Sequence, residues 1–179
     1  GAVASDVGAG AGYGGAGSGD MRGNPGGITY GSSNAPADAG SAGGNGSSGT
    51  GGGHGGGVVW ITASDRVILD GTISANGRPP LEGGLFGGYA AGGGSGGSIW
   101  IHTLRFFATG SLRVDGGNAG SFMGGLGAGG GGGGRIAVWR VVGDPCSASV
   151  TGGVGFAQAG TGTVVWGQLI PAGTIFVVD

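Results

Sequence analysis

The chain alternates between short runs of β-branched and aromatic residues and long stretches almost without side chains. Residues 58–77 read VVWITASDRVILDGTISANG, and residues 98–116 repeat the plan as SIWIHTLRFFATGSLRVDG. Each follows a Gly-Gly pair, carries a second run and reaches a common step, Gly71-Thr72-Ile73 or Gly110-Ser111-Leu112, that leads to Asn76-Gly77 or Asp115-Gly116. A weaker copy begins at Gly134 (GRIAVWRVVGD, then SASVTGG), and a fourth begins at Gly162 (GTVVW) and ends in GTIFVVD. Because side chains alternate along a strand, the opening runs divide into two faces. One holds Val59/Ile61, Ile99/Ile101, Ile136/Val138 and Val164/Trp166, all apolar, and is the predicted core. The other is mixed: Val58/Trp60/Thr62, Ser98/Trp100/His102, Arg135/Ala137/Trp139 and Thr163/Val165/Gly167. No segment carries apolar residues at i, i+3, i+4 and i+7 free of Gly, so essentially no helix is expected.

The repetition predicts an all-β fold, a Gly-rich repeat β-solenoid or stacked β-sheets. Residues 1–57 read as a Gly-rich lead, and residues 58–179 as a repeat module with copies near 58–97, 98–134, 135–161 and 162–179, the whole being one structural unit. Between the strands lie Gly stretches too long for hairpin turns, at 83–97 and 116–134. They carry isolated large residues (Leu81, Leu85, Phe86, Tyr89, Phe122, Met123, Leu126) that a solvated linker would avoid. The expectation is therefore ordered layers resembling polyglycine II: extended threefold segments that lie side by side without Cβ atoms and bond sideways.

Composition narrows the function classes. With 55 Gly among 179 residues the chain is far from an ordinary enzyme, yet only 6 Pro and no Gly-X-Y period exclude collagen. A hydrophobic share of 38% excludes a purely solvated linker. The 7 basic residues are all Arg and scattered, and the net charge is −2, so nucleic acid is not an expected partner. No apolar stretch reaches the length of a membrane span, and the single Cys146 excludes an internal disulfide framework.

The order of parts carries a resemblance: a Gly-rich lead with Tyr30-Gly31-Ser32 and Pro36, then VVWI…DGTISANG, GGGSGGSIWI, GGGGGGRIAVW and GTGTVVW…GTIFVVD. Together these resemble the Gly-rich β-solenoid modules of large secreted and cell-surface proteins, described as adhesin-like or structural. The resemblance runs from Gly8 to Asp179. It implies an extracellular or cell-surface location, a β-rich repeat fold and a non-catalytic role, and supplies no catalytic residues.

The side chains able to do chemistry agree with that role. By repeat register Asp70 falls opposite Thr109 and Asp115 opposite Asn76, so no two acids share a column as a hydrolase would need. His54 and His102 lie in unlike textures without ligand spacing, the calcium-roll repeat is absent, and no Gly run leads into Lys and a helix. No cofactor, metal or catalytic residue is predicted. The sharpest feature is Trp60, Trp100 and Trp139, with His102 beside Trp139, on the mixed face. They are the floor under a Gly-rich layer, a face that stacks on sugars or a contact between subunits. Low charge, heavy Gly and the lack of an obvious polar cap at Thr174 to Asp179 predict assembly with other copies into a filament or matrix, the final run Thr174, Ile175, Phe176, Val177 and Val178 adding to a neighbour's edge. A glycan-binding adhesin module using the Trp face is the alternative. Ice binding ranks last, because Thr62, Thr72, Thr103 and Thr109 do not recur at a fixed strand position.

Overall fold

The computed structural model describes residues 7–46, 50–81, 90–121 and 127–170. Seven strands form: β1 (Val58–Leu69), β2 (Thr72–Ser74), β3 (Ser98–Ala108), β4 (Ser111–Arg113), β5 (Arg135–Arg140), β6 (Ser147–Ser149) and β7 (Thr163–Gln168). There is no helix among the described residues. The long strands make a four-stranded parallel sheet in the order β1-β3-β5-β7, and the short ones a three-stranded parallel sheet, β2-β4-β6.

Register follows the repeat. Val59, Ile99, Ile136 and Val164 stand in one row, and Ile61, Ile101, Val138 and Trp166 in the next. Ile99, Ile101, Ile136 and Val138 are fully buried, while Val59, Ile61, Val164 and Trp166, on the two outer strands, are partly buried against them. Leu112, Val114 and Val150 join the same cluster, so the core lies between the two sheets. A bulge between Ala63 and Arg66 shifts the later part of β1 by one residue, pairing Val67 with the buried Phe106.

The β-solenoid expected from the repeat is not formed. A solenoid coil winds every repeat around a closed cross-section so that each repeat touches only its neighbours. Here each repeat gives at most two strands to two open sheets, and its Gly-rich part leaves the sheets to bond with residues distant in sequence. Residues 127–134 show why. Gly129 donates to Gly8, Gly131 to Gly117, Gly132 to Ala11 and Gly133 to Gly160, while Gly93, Gly96 and Gly153 donate to carbonyls of the same segment. These partners lie on several sides of one extended segment, where a strand has only two.

Such packing requires missing side chains. A Cβ on Gly131 would lie 2.1 Å from the carbonyl oxygen of Gly94 and 2.4 Å from its carbon. The bonds also satisfy backbone groups that would otherwise be buried without partners, since residues 90–97 and 127–134 are buried throughout their described parts. Of the large residues embedded in the Gly stretches, Leu81 is 78% exposed, and Leu85, Phe86, Tyr89, Phe122, Met123 and Leu126 lie outside the described residues.

Candidate functional site

The aromatic column is built by strand register. Trp60 on β1 pairs with Trp100 on β3, and His102 pairs with Trp139 on β5. Trp60 and Trp100 stack with centroids 4.6 Å apart and planes 19° from parallel, so each covers one ring face of the other. The outer face of Trp60 stays open, and that residue is 61% exposed. The Nε1 atom of Trp100 is buried and has no hydrogen-bond partner among the described residues. Trp139 stands apart from this stack. Its Nε1 donates to the carbonyl of Asn34 at 2.7 Å, and its ring occupies the space above Gly167, where a Cβ would come within 2.3 Å of it. His102 is exposed.

The start of the mixed face is covered by residues of the N-terminal segment. Tyr13, fully buried, shares a 2.6 Å hydrogen bond with the Ser98 hydroxyl, and Ser98 donates to the carbonyl of Asp38. Burial pushes the Tyr13 phenol above its ordinary pKa, so it stays neutral beside the Arg135 guanidinium, which lies 5.4 Å from the ring centroid. Arg135 donates to the carbonyl of Tyr30 from two nitrogens, at 3.1 and 2.7 Å, and to Thr163 Oγ1. The three Trp residues thus do not form one flat ladder: Trp139 is hydrogen-bonded to Asn34 apart from the Trp60–Trp100 stack, and of the three only Trp60 is exposed.

The acids are engaged locally. Thr109 donates to Asp70 at 3.1 Å. Asn76 Oδ1 accepts the amide of Asp115, and Asp115 Oδ1 accepts the amide of Thr151, so each layer's side chain caps the next layer's backbone. Burial alone would raise the Asp115 pKa, but hydrogen bonds from Ser149, Arg113 and Thr151 outweigh it and hold the carboxyl below its ordinary value. No group of three or more metal-ligating side chains occurs among the described residues. Asp70 and Asp144 line one shallow groove of about 220 Å³ with Ile68 and Phe107, a neighbourhood that column counting misses because Asp144 lies in the connection after β5.

The open edge of the larger sheet is the other feature. β1 bonds to β3 on one side only, and no backbone hydrogen bond reaches its outer side among the described residues. β7 is the opposite edge. The predicted assembly strand Thr174, Ile175, Phe176, Val177 and Val178 lies outside the described residues. No described helix is long and apolar enough to cross a membrane. Nothing in the sequence sets Tyr13 apart, whereas the recurrence of Gly57, Gly97, Gly134 and Gly162 before each opening run is visible there. No family model matches the chain, and no curated protein or solved structure matches it.

Proposed function

We propose that this chain is a structural subunit that assembles with copies of itself into a filament or matrix outside the cell. The observation that carries the reading is the edge of β1. Its first six residues, Val58–Ala63, contain no charge and no Pro, and nothing described covers their outer side. Soluble proteins usually blunt such an edge with charge, Pro or a bulge. In β1 those devices, Asp65, Arg66 and the bulge, come only after Ala63. The first half is therefore left able to add a strand. The extracellular setting rests on the resemblance to Gly-rich modules of secreted proteins. The test is sedimentation across a concentration series with negative-stain imaging. Filaments are expected, and a chain that stays monomeric at high concentration without denaturant refutes the reading.

The glycan-binding alternative keeps one specific support, the free face of Trp60. If Trp60→Ala abolishes retention on immobilised polysaccharide while the protein stays monomeric, that reading replaces the first.

A further inference from the structure

Resting on the self-assembly reading, we infer that the edge Val58–Ala63 receives β7 of a second copy in the register that already relates the strands within one chain, with Gly57 as the residue that makes the junction possible. Gly57 is a glycine with no steric use among the described residues of the monomer. The glycine before each opening run belongs to one column: Gly57, Gly97, Gly134 and Gly162. In the last three the reason for Gly is plain, because a Cβ would meet the carbonyl oxygen of the preceding member. The separations are 2.0 Å from Gly97 to Gly57 O, 2.1 Å from Gly134 to Gly97 O and 1.9 Å from Gly162 to Gly134 O. Each of those oxygens also accepts the next layer's first strand amide, from Ser98, Arg135 and Thr163 in turn.

Gly57 breaks the series. No atom of the described residues lies within 4 Å of the place its Cβ would take, and its φ is outside the left-handed range. The other open glycines have explanations that do not extend to it. Gly23 has φ 85°, Gly51 aligns with Ala91 and Ala128, and Gly71 aligns with Cys146, so the last two columns carry a Cβ elsewhere. Gly57 is built as though another layer preceded it, and the oxygen that would stand there is that of Gly162, the last described member of the column. No donor reaches Gly162 O among the described residues.

The two ends also match in length and pattern. The uncharged part of β1 before the bulge has six residues, as β7 does. Continuing the register sets Val58 of one copy beside Thr163 of the other, Val59 on Val164, Trp60 on Val165 and Ile61 on Trp166. Val59, Ile61, Val164 and Trp166 are the partly buried members of otherwise buried rows, so the junction completes both rows. The open face of Trp60 is covered at the same step. The contact joins unlike ends and leaves a fresh β1 edge and a fresh β7 edge, so it propagates.

Two measurements test this. Gly57→Ala is compared with the wild type by sedimentation, with melting midpoints read at a concentration below assembly. The variant is expected to fold as the wild type does and to raise the concentration for half-assembly by at least about tenfold. On a Cys146→Ser background, Val58→Cys and Thr163→Cys proteins are mixed and oxidised, and a cross-linked dimer is expected only in the mixture. If the wild type assembles but Gly57→Ala assembles equally well, the glycine is merely inherited by repetition and the inference is overturned while self-assembly stands. A Val58→Cys protein that cross-links to itself overturns it too, by showing two β1 edges paired. Should Gly57→Ala lower the melting midpoint, the cross-link decides alone, its absence from the mixture overturning the junction. A monomeric wild type overturns both readings together.

Discussion

Gly131→Ala is the most direct test of the Gly-rich body, because it adds one methyl group where the structure has no room. The new Cβ would lie 2.1 Å from Gly94 O, against 3.4 Å for ordinary contact, so one segment must move by more than an ångström. Gly94 O accepts the amide of Gly117 at 2.8 Å, and Gly117 O accepts the amide of Gly131 at 2.9 Å. Moving either segment that far breaks one or both bonds inside a buried region, at roughly 1–3 kcal/mol each. The unfolded chain loses freedom on Gly→Ala, which returns about 0.4–1 kcal/mol. The net expectation is a loss of about 1–5 kcal/mol, or about 2–20 °C in melting temperature for a chain of this size. Gly51→Ala is the matched control, since no atom of the described residues lies within 4 Å of its Cβ position. There the unfolded-state effect acts alone and a gain of up to about 1 kcal/mol is expected. Equilibrium urea unfolding of both variants decides the matter. If Gly131→Ala falls within about half a kcal/mol of the wild type, the segments do not pack as described, and the steric account of the Gly body is wrong.

Ile101→Ala removes a fully buried side chain from the core between the sheets and should cost about 2–5 kcal/mol, measured in the same way. The amides of Gly92 to Gly94, Gly96, Gly129 and Gly131 to Gly134 are hydrogen-bonded, so they should exchange far more slowly than a random coil; random-coil rates would refute their order. The Asp115 carboxyl has a lowered pKa in the fold, so the unfolded chain binds the proton more readily. Its stabilisation is complete above the unfolded carboxyl value near about 4 and is lost as pH falls through the lower folded value. Asp115→Asn should therefore flatten the acid limb of the stability curve, and an unchanged slope would refute the role given to that network.

The parts of the fold legible in the sequence are those where side chains alternate. The rows Val59-Ile99-Ile136-Val164 and Ile61-Ile101-Val138-Trp166, the facing of Trp60 with Trp100 and of His102 with Trp139, and the pairing of Asp70 with Thr109 are all found at the predicted positions. Repetition encodes register because each copy must bury the same side chains against its neighbour. What repetition does not encode is the path between strands. A run such as Gly129 to Gly134 has no hydrophobic period, so its partners cannot be read from it, and the Gly-rich β-solenoid or stacked β-sheets expected from the repeat give way to two open parallel sheets. The mixed face is legible as a surface either facing solvent or covered by something other than a core, but not that Tyr13, Tyr30, Asn34 and Asp38 cover part of it. Those contacts join residues 60 to 105 positions apart, and all but the Tyr13–Ser98 hydroxyl pair run through backbone carbonyls, which leave no mark in the identity of the accepting residue.

The threading of the first Gly-rich segment through the last has a kinetic consequence. Gly8 and Ala11 accept bonds from Gly129 and Gly132, Gly15 donates to Gly133, and Ala16 accepts from Gly160. On a ribosome these early residues emerge long before their partners, so the body cannot be built layer by layer as a repeat array can. Closing contacts over more than a hundred residues makes the entropic barrier high and folding slow. During that wait the strands of β1 and β3 can pair locally while the Gly amides have only water or another nascent chain to bond, which is the interval in which wrong association between chains competes best. Deleting an internal repeat would not simply shorten the molecule. It would remove carbonyls on which the earliest segment depends, so tolerance to truncation should be far lower than the repetitive sequence suggests.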